Sequence, residues 1–177
     1  MKIEVGIIKK ITPFYQGKRI LLDFMEEFSK EDCLFVGNTA KGFCLIPSEN
    51  RPSENYLPRN FRFNTGAMNQ YIKTKDGVKY LAEIKSGDMI EIMQKGEVVY
   101  YPVARCKCEY REFIKLEVEC NGTCISVILQ NGATAAVRTP QGIENIQKLK
   151  EGDSIDVCLY GKPTHLGAEK DEFCEEY

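Results

Sequence analysis

Cys106, Cys108, Cys120 and Cys124 come nearest to a recognisable metal-ligand set. Four thiolates can hold zinc tetrahedrally, but each cysteine pair of such a site usually encloses roughly two to four residues. Only Lys107 separates Cys106 from Cys108. Those two also fall at i and i+2 of a strand-like run, where cysteine packs as a small apolar side chain. No metal site is therefore expected. His165 is the sole histidine. One imidazole cannot build a histidine metal site; its chemical use would be proton transfer near neutral pH, and its ordinary use is packing or surface exposure. The lysines and carboxylates show no paired spacing that singles out an acid and a base. There is no dinucleotide fingerprint, P-loop, Gly-x-Ser-x-Gly or His-Glu-x-x-His.

The elements that must position any chemistry are organised around a repeated stretch. Residues 74–92 (TKDGVKYLAEIKSGDMIEI) return sixty-five positions later at 139–157 (TPQGIENIQKLKEGDSIDV). Gly77 and Gly142 supply turns. Leu81 with Ile84, and Ile146 with Leu149, are three apart and suit one short helical turn. Gly87 or Gly152 ends it. Ile90/Ile92 and Ile155/Val157 then alternate with polar residues, as in a half-buried strand. Glu83 and Lys148 occupy equivalent positions of opposite charge, which reads as a solvated face. Aligning Asp32 with Asp88 places Leu34 and Val36 over Ile90 and Ile92, so a third, degenerate copy is expected near the N-terminus.

The rest of the chain reads as further short strands. One is expected in residues 2–11 and another over Arg19–Phe24, followed by a helical turn at Met25–Phe28. Residues 47–60, polar and with three prolines, read as a boundary loop. Val98–Val103 and Phe113–Val118 flank Tyr110-Arg111-Glu112 as a hairpin. Asn121-Gly122 is a two-residue turn signal before a strand at Cys124–Leu129. The pattern predicts an all-β fold with single-turn helices, built of internally repeated β-barrel-like modules; a sandwich is the other arrangement it allows. The expected modules are residues 1–50 (degenerate), 61–120 and 121–168, with an acidic, frayed tail at 169–177, all within one domain.

A net charge of −2 and a pI of about 5.6 argue against nucleic acid or an anionic membrane as partner, since both call for dense Lys/Arg. No apolar run reaches the ~20 residues of a membrane helix. The first ten residues carry charges through what would be a signal peptide's apolar core. A cytoplasmic protein is expected, with its eight cysteines as free thiols.

Several stretches together resemble a known family. Phe61-Arg62-Phe63-Asn64-Thr65-Gly66-Ala67-Met68-Asn69-Gln70-Tyr71, then Lys79–Asp88, Ser126-Val127-Ile128-Leu129-Gln130-Asn131 and His165-Leu166-Gly167 look like the second half of the class II 3-dehydroquinate synthases. Gly17–Asp23 and Phe43–Glu49 fall in register upstream. The full enzymes of that family are about twice as long, and the chain is expected to begin where their second domain begins. They work in a route to aromatic amino acids, by NAD-dependent oxidative deamination of an amino-heptulosonic acid followed by ring closure. A related group makes 3-amino-4-hydroxybenzoate.

The resemblance implies Arg62, Asn64, Glu83, Gln130, Asn131 and His165 as substrate-binding positions. A guanidinium and amides suit a carboxylate-bearing polyhydroxy acid. Departures accompany it. The family's usual histidines are replaced by Pro47 and Asn69. Gly132-Ala133 stand where an acidic residue is expected, Thr164 where a basic one is, and Glu31-Asp32 where a Gly-rich turn is. Loss of titratable groups on a kept apolar scaffold implies that this chain alone is inactive and binds no cofactor by itself, NAD being implied only for the full-length family. The first expectation is therefore a domain that works with a separately encoded N-terminal half on a small acidic metabolite. The second is a stand-alone, non-catalytic β-barrel module that binds such a metabolite or a partner protein. An independently active enzyme ranks last, because the sequence lacks a dinucleotide site.

Overall fold

The structure is a computed structural model that describes residues 1–53, 55–160 and 176, and the backbone of 164–165 and 168–169. Strands dominate, in the order β1 (Glu4–Phe24), β2 (Cys33–Gly37), β3 (Gly42–Glu49), β4 (Arg59–Ala67), β5 (Tyr71–Thr74), β6 (Gly77–Tyr80), β7 (Met89–Gln94), β8 (Glu97–Cys120), β9 (Thr123–Gln130), β10 (Ala136–Thr139), β11 (Gly142–Asn145), β12 (Ser154–Leu159), β13 (Thr164–His165) and β14 (Ala168–Glu169). Among the described residues the only helical segments are two three-residue 3₁₀ turns, Leu81–Glu83 and Ile146–Lys148. The all-β expectation holds. Among the described residues no helix is long and apolar enough to cross a membrane.

Pairings run in a circuit: β1 with β4, β4 with β3, β3 with β2, β2 with β7, β7 with β8, and β8 back to β1, all antiparallel. β12 bridges β1 and β3, and β9 pairs with β8. One apolar cluster fills the inside, drawing on β1 (Ile8, Leu22), β2 (Leu34, Val36), β7 (Ile90, Ile92), β9 (Val127, Leu129) and β12 (Ile155, Val157). A second cluster around Phe35, Phe43, Leu45 and Tyr71 covers the other side of β2 and β3, which explains why every residue of those two strands is buried.

The two similar stretches make the same bonds at the same offset. Thr74 Oγ1 donates to the Gly77 carbonyl at 3.1 Å, and Thr139 Oγ1 to Gly142 at 3.0 Å. Asp88 Oδ2 accepts from the Lys85 N–H, and Asp153 Oδ2 from the Lys150 N–H, both at 2.8 Å. Gly77 and Gly142 hold φ of 120° and 128°, a region a Cβ disfavours. Near the N-terminus Asp32 Oδ2 likewise accepts from the Ser29 N–H at 2.8 Å. β2, which follows it, pairs Leu34 with Ile92 of β7.

Several expectations need correction. The two strands expected in residues 2–24 are one strand, which continues through Pro13 and Gly17 and yields its register at Ile8/Lys10, Phe14/Gln16 and Asp23/Phe24. The hairpin at Tyr110-Arg111-Glu112 is instead the middle of β8, paired with β1 from Ile7↔Glu119 to Phe24↔Val103. Residues 104–119 contain no Gly, Pro, Asn or Asp to make a turn, and the polar run there reflects a ribbon solvated on both sides. Met25–Phe28 is not helical. Phe28 is pulled into an edge-to-face cluster with Phe24, Phe63 and Tyr101 at 5.0–5.3 Å, which stretches the segment. Pro47 lies within β3, opposite Cys33, so the polar connection starts only after Glu49.

The Asn121-Gly122 turn is present, with φ of 50° and 78° between the paired Cys120 and Thr123. Cys108 and Cys120 lie twelve residues apart on one extended strand, about 40 Å at ~3.3 Å per residue, so the four cysteines cannot share an ion. Among the described residues no group of three or more potential ligands gathers.

Candidate functional site

On the outer face of β1, β8 and β9 lies a cleft of about 420 Å³, within the size range of small-ligand sites. Its cations are Arg19, Arg59, Arg62, Lys107 and Arg111, against two carboxylates, Glu49 and Glu109. The cleft lining therefore carries an excess of positive charge.

β1 supplies Arg19 just before the buried run Ile20-Leu21-Leu22, so the guanidinium is carried into a buried position. Arg19 Nη1 donates to Gln130 Oε1, and Nη2 donates to Glu109 Oε2 at 2.6 Å. Burial lowers its pKa, an effect that Glu109 opposes. Its Nε is buried without a partner, leaving a donor beside the cleft. β9 ends on Gln130. Asn64 of β4 stands behind it, donating to Gln130 Oε1 at 2.9 Å and to Thr134 Oγ1 at 3.3 Å. Asn64 Oδ1 is also buried and unpartnered.

Glu49 closes β3 at the cleft wall, 6 % exposed. Burial pushes its carboxyl above the usual range, against a hydrogen bond from Thr134 and the charges of Arg62, Arg59 and Arg19. The nearest cation, Arg59 Nη1, is 3.7 Å away. Glu109 behaves oppositely. Burial alone would raise it, but Arg19, Arg111 and Lys107 outweigh burial and hold it below the ordinary carboxylate range. The cleft thus contains one carboxyl biased towards its proton and one biased towards its charge, the separation that acid–base chemistry uses.

Beneath the cleft Asp23 accepts from Arg62 Nε at 2.6 Å and Nη2 at 2.9 Å, and from Arg105 Nη2 at 2.6 Å. Burial would raise Asp23, but those two arginines overcome it and depress its pKa. The Asp23 hydrogen bond is the largest influence raising Arg62. Arg62 therefore lines the cleft with two of its three nitrogens already committed.

Of the six positions expected from the sequence, Arg62 and Gln130 line the cleft and Asn64 supports Gln130. Asn131 points elsewhere: its Oδ1 accepts from Gln147 Nε2 at 2.9 Å. Glu83 is exposed on its 3₁₀ turn, where its carboxylate accepts from the Tyr80 N–H at 3.4 Å. The His165 backbone pairs with Ala168, and its side chain lies outside the described residues. Sequence reasoning missed Arg19, Glu49, Arg59 and the Lys107–Glu109–Arg111 row. The charges of Arg19 and Asp23 at the two ends of an apolar run were a usable signal. The row on β8 was hidden by the hairpin expectation, since a turn would not have aimed alternate residues at one face.

A mostly-β domain with a cation-rich cleft on its long strands is the class that fold and site define. Residues 5–177 match the 3-dehydroquinate synthase II C-terminal domain, and the chain belongs to that family. It is 39% identical over 171 residues to a 3-dehydroquinate synthase of Archaeoglobus fulgidus, covering 96% of this chain and 53% of that protein. Its identity to the 3-dehydroquinate synthase of Methanosarcina barkeri is 32% over 173 residues, 97% of this chain and 46% of that one. For the one from Halobacterium salinarum it is 33% over 175 residues, 97% and 45%. The chain thus spans about half the length of these relatives. No solved structure matches it.

Proposed function

We propose that this domain is the carboxylate-binding half of a 3-dehydroquinate-synthase-like enzyme and turns over only with an N-terminal half. The observation that carries the reading is the cleft itself, five cations around the hydrogen-bonded Asn64–Gln130 amide pair, in a chain whose relatives bear that name. Arg59, loosely paired with Glu49 at 3.7 Å, and Arg111, whose Nη1 and Nη2 also donate to the Tyr110 carbonyl and to Glu109, turn their remaining donors to a substrate carboxylate. Gln130, held by Arg19 and Asn64, orients a neighbouring hydroxyl. Glu49 holds or moves a proton at that hydroxyl. Asn131, Glu83 and His165 stay proposed contacts for the complete enzyme, outside this cleft.

NAD, implied by the family, would supply hydride transfer. The described residues do not fit it: they contain no glycine-rich strand-to-helix turn, and their 3₁₀ turns are too short to present a helix N-terminus to a pyrophosphate. Its site belongs to the N-terminal half. We read the pairing circuit as barrel-like, and the matched Asp-capped turns as one repeated unit within the three modules expected from the sequence. The seven described cysteines are free thiols, which supports a cytoplasmic setting.

The test is reconstitution. The chain is mixed with the N-terminal half of the Archaeoglobus fulgidus relative, and co-purification and NADH formation from the amino-heptulosonic acid are followed. Neither half alone should turn over. Failure to co-purify, or activity of this chain by itself, overturns the reading.

A further inference from the structure

Next to the cationic cleft lies an apolar recess of similar size, about 420 Å³. Phe113, Ile128, Met68, Phe14 and Tyr110 form its apolar surfaces. The recess and the cleft are neighbours on the same three strands. Gly17 of the recess pairs directly with Arg111 of the cleft, and Phe113 of the recess with Gln130 of the cleft. Along the strands, Gly17 and Arg19, Phe113 and Arg111, and Ile128 and Gln130 are each two residues apart. They therefore share a face at about 6.5 Å.

The recess is built rather than left over. A Cβ on Gly17 would lie 3.3 Å from the Phe113 ring, so glycine gives that ring room over β1. Ile128 is fixed from behind by the fully buried Gln70 side chain, which accepts from the Ile128 N–H at 2.6 Å and donates to its carbonyl at 2.8 Å. Phe14 and Tyr110 stand at the rim, 40 % and 68 % exposed. Phe14 also packs edge-to-face on Tyr15 at 5.2 Å, and both rim rings keep exposed aromatic surface.

We infer that recess and cleft form one elongated site for an aryl carboxylate, the ring entering the recess that Phe14, Met68 and Tyr110 rim above the nearly buried Phe113 and Ile128, and the carboxylate reaching the Gln130 amide and Arg111, whose guanidinium already donates to Glu109. The step of one strand repeat between the two parts suits a two-carbon spacer between ring and carboxylate. The aromatic walls favour a planar ring through edge and face contacts. The charge next door selects against neutral aromatics. This inference rests on the cleft taking carboxylates, as in the proposed function, and adds the ligand class; it does not need the N-terminal half.

The test is calorimetric titration of the full chain with 3-phenylpropionate, propionate, 3-phenylpropan-1-ol and 3-dehydroquinate. Phenylpropionate should bind at least about tenfold more tightly than propionate or the alcohol, the gain expected from covering most of one ring. Phe14→Ala/Tyr110→Ala, at exposed positions that leave the core intact, should remove that gain and leave 3-dehydroquinate binding unchanged. Arg111→Gln should weaken all three acids. If 3-dehydroquinate binds but phenylpropionate is no better than propionate, the aryl site is wrong and the cleft reading stands. If no carboxylate binds, both are wrong. Loss of phenylpropionate binding in Arg111→Gln alone, with the aromatic variant unaffected, also overturns the aryl site.

Discussion

Arg62 grips Asp23 through two nitrogens, Nε at 2.6 Å and Nη2 at 2.9 Å, in a buried ion pair that Arg105 completes from the other side. The residue that looked most like a substrate anchor is thus first a structural one. Asp23→Asn should cost about 3 kcal/mol at pH 7, because it leaves a buried guanidinium uncompensated. Asp23 is depressed in the folded state, so its contribution is present above the unfolded value near pH ~4. It is lost as pH falls through the lower folded value. Urea melts of wild type and variant should therefore converge in acid and diverge above about pH 4.

Glu49 has the opposite sign. Its folded pKa is raised, so the proton it binds stabilises the fold at low pH, and that stabilisation is lost as pH rises through the raised value. Glu49→Gln should gain stability relative to wild type as pH climbs through that window. Binding of 3-dehydroquinate to wild type should tighten as pH falls through it, while the variant stays flat. Titrations across that window, done on both proteins, check the two effects together.

Gln70 joins β9 to the β4–β5 connection through its bonds to Ile128. Gln70→Leu keeps the volume but strands a buried N–H and a buried carbonyl. The expected loss is about 2–4 kcal/mol, read from the denaturation midpoint. Gly66→Ala should be severe as well, since its φ is 83° and a Cβ would sit 2.2 Å from the Ile128 carbonyl oxygen.

The three Asp-capped turns give a direct test of the repeat. Asp88→Ala and Asp153→Ala remove the same bond from the same turn and should each cost about 1 kcal/mol. Asp32→Ala should cost more, because Asp32 is buried and also accepts from Gln94 Nε2 at 3.0 Å. Asp88 Oδ1 also accepts from Lys79 Nζ at 2.9 Å, so the pair is compared in a Lys79→Ala background, where unequal losses at Asp88 and Asp153 would argue that the likeness is only in sequence.

Much of the scaffold was legible because alternation and glycine placement are local signals: Ile90/Ile92, Ile155/Val157 and Asn121-Gly122 all sit where the pattern puts them. β1 and β8 were not, because their pairing partners are about a hundred residues apart and the polar middle of each strand imitates a loop. The same error concealed the site. Lys107, Glu109 and Arg111 face one cleft only if the chain is extended there, and Glu49 acquires its raised pKa only from its burial in the folded chain, which outweighs the opposing Thr134, Arg62, Arg59 and Arg19. Asn64 and Gln130 were legible through resemblance, and the structure adds the hydrogen bond that joins them.

The cleft's ability to hold a carboxylate is tested most directly by calorimetric titration of the intact chain with 3-dehydroquinate at neutral pH, alongside Arg59→Gln/Arg111→Gln. The account predicts one binding event per chain, weakened at least about tenfold in the double variant, since each lost charge-assisted hydrogen bond contributes about 1.5–3 kcal/mol. Absence of binding to the wild type, or equal affinity in the variant, would contradict it.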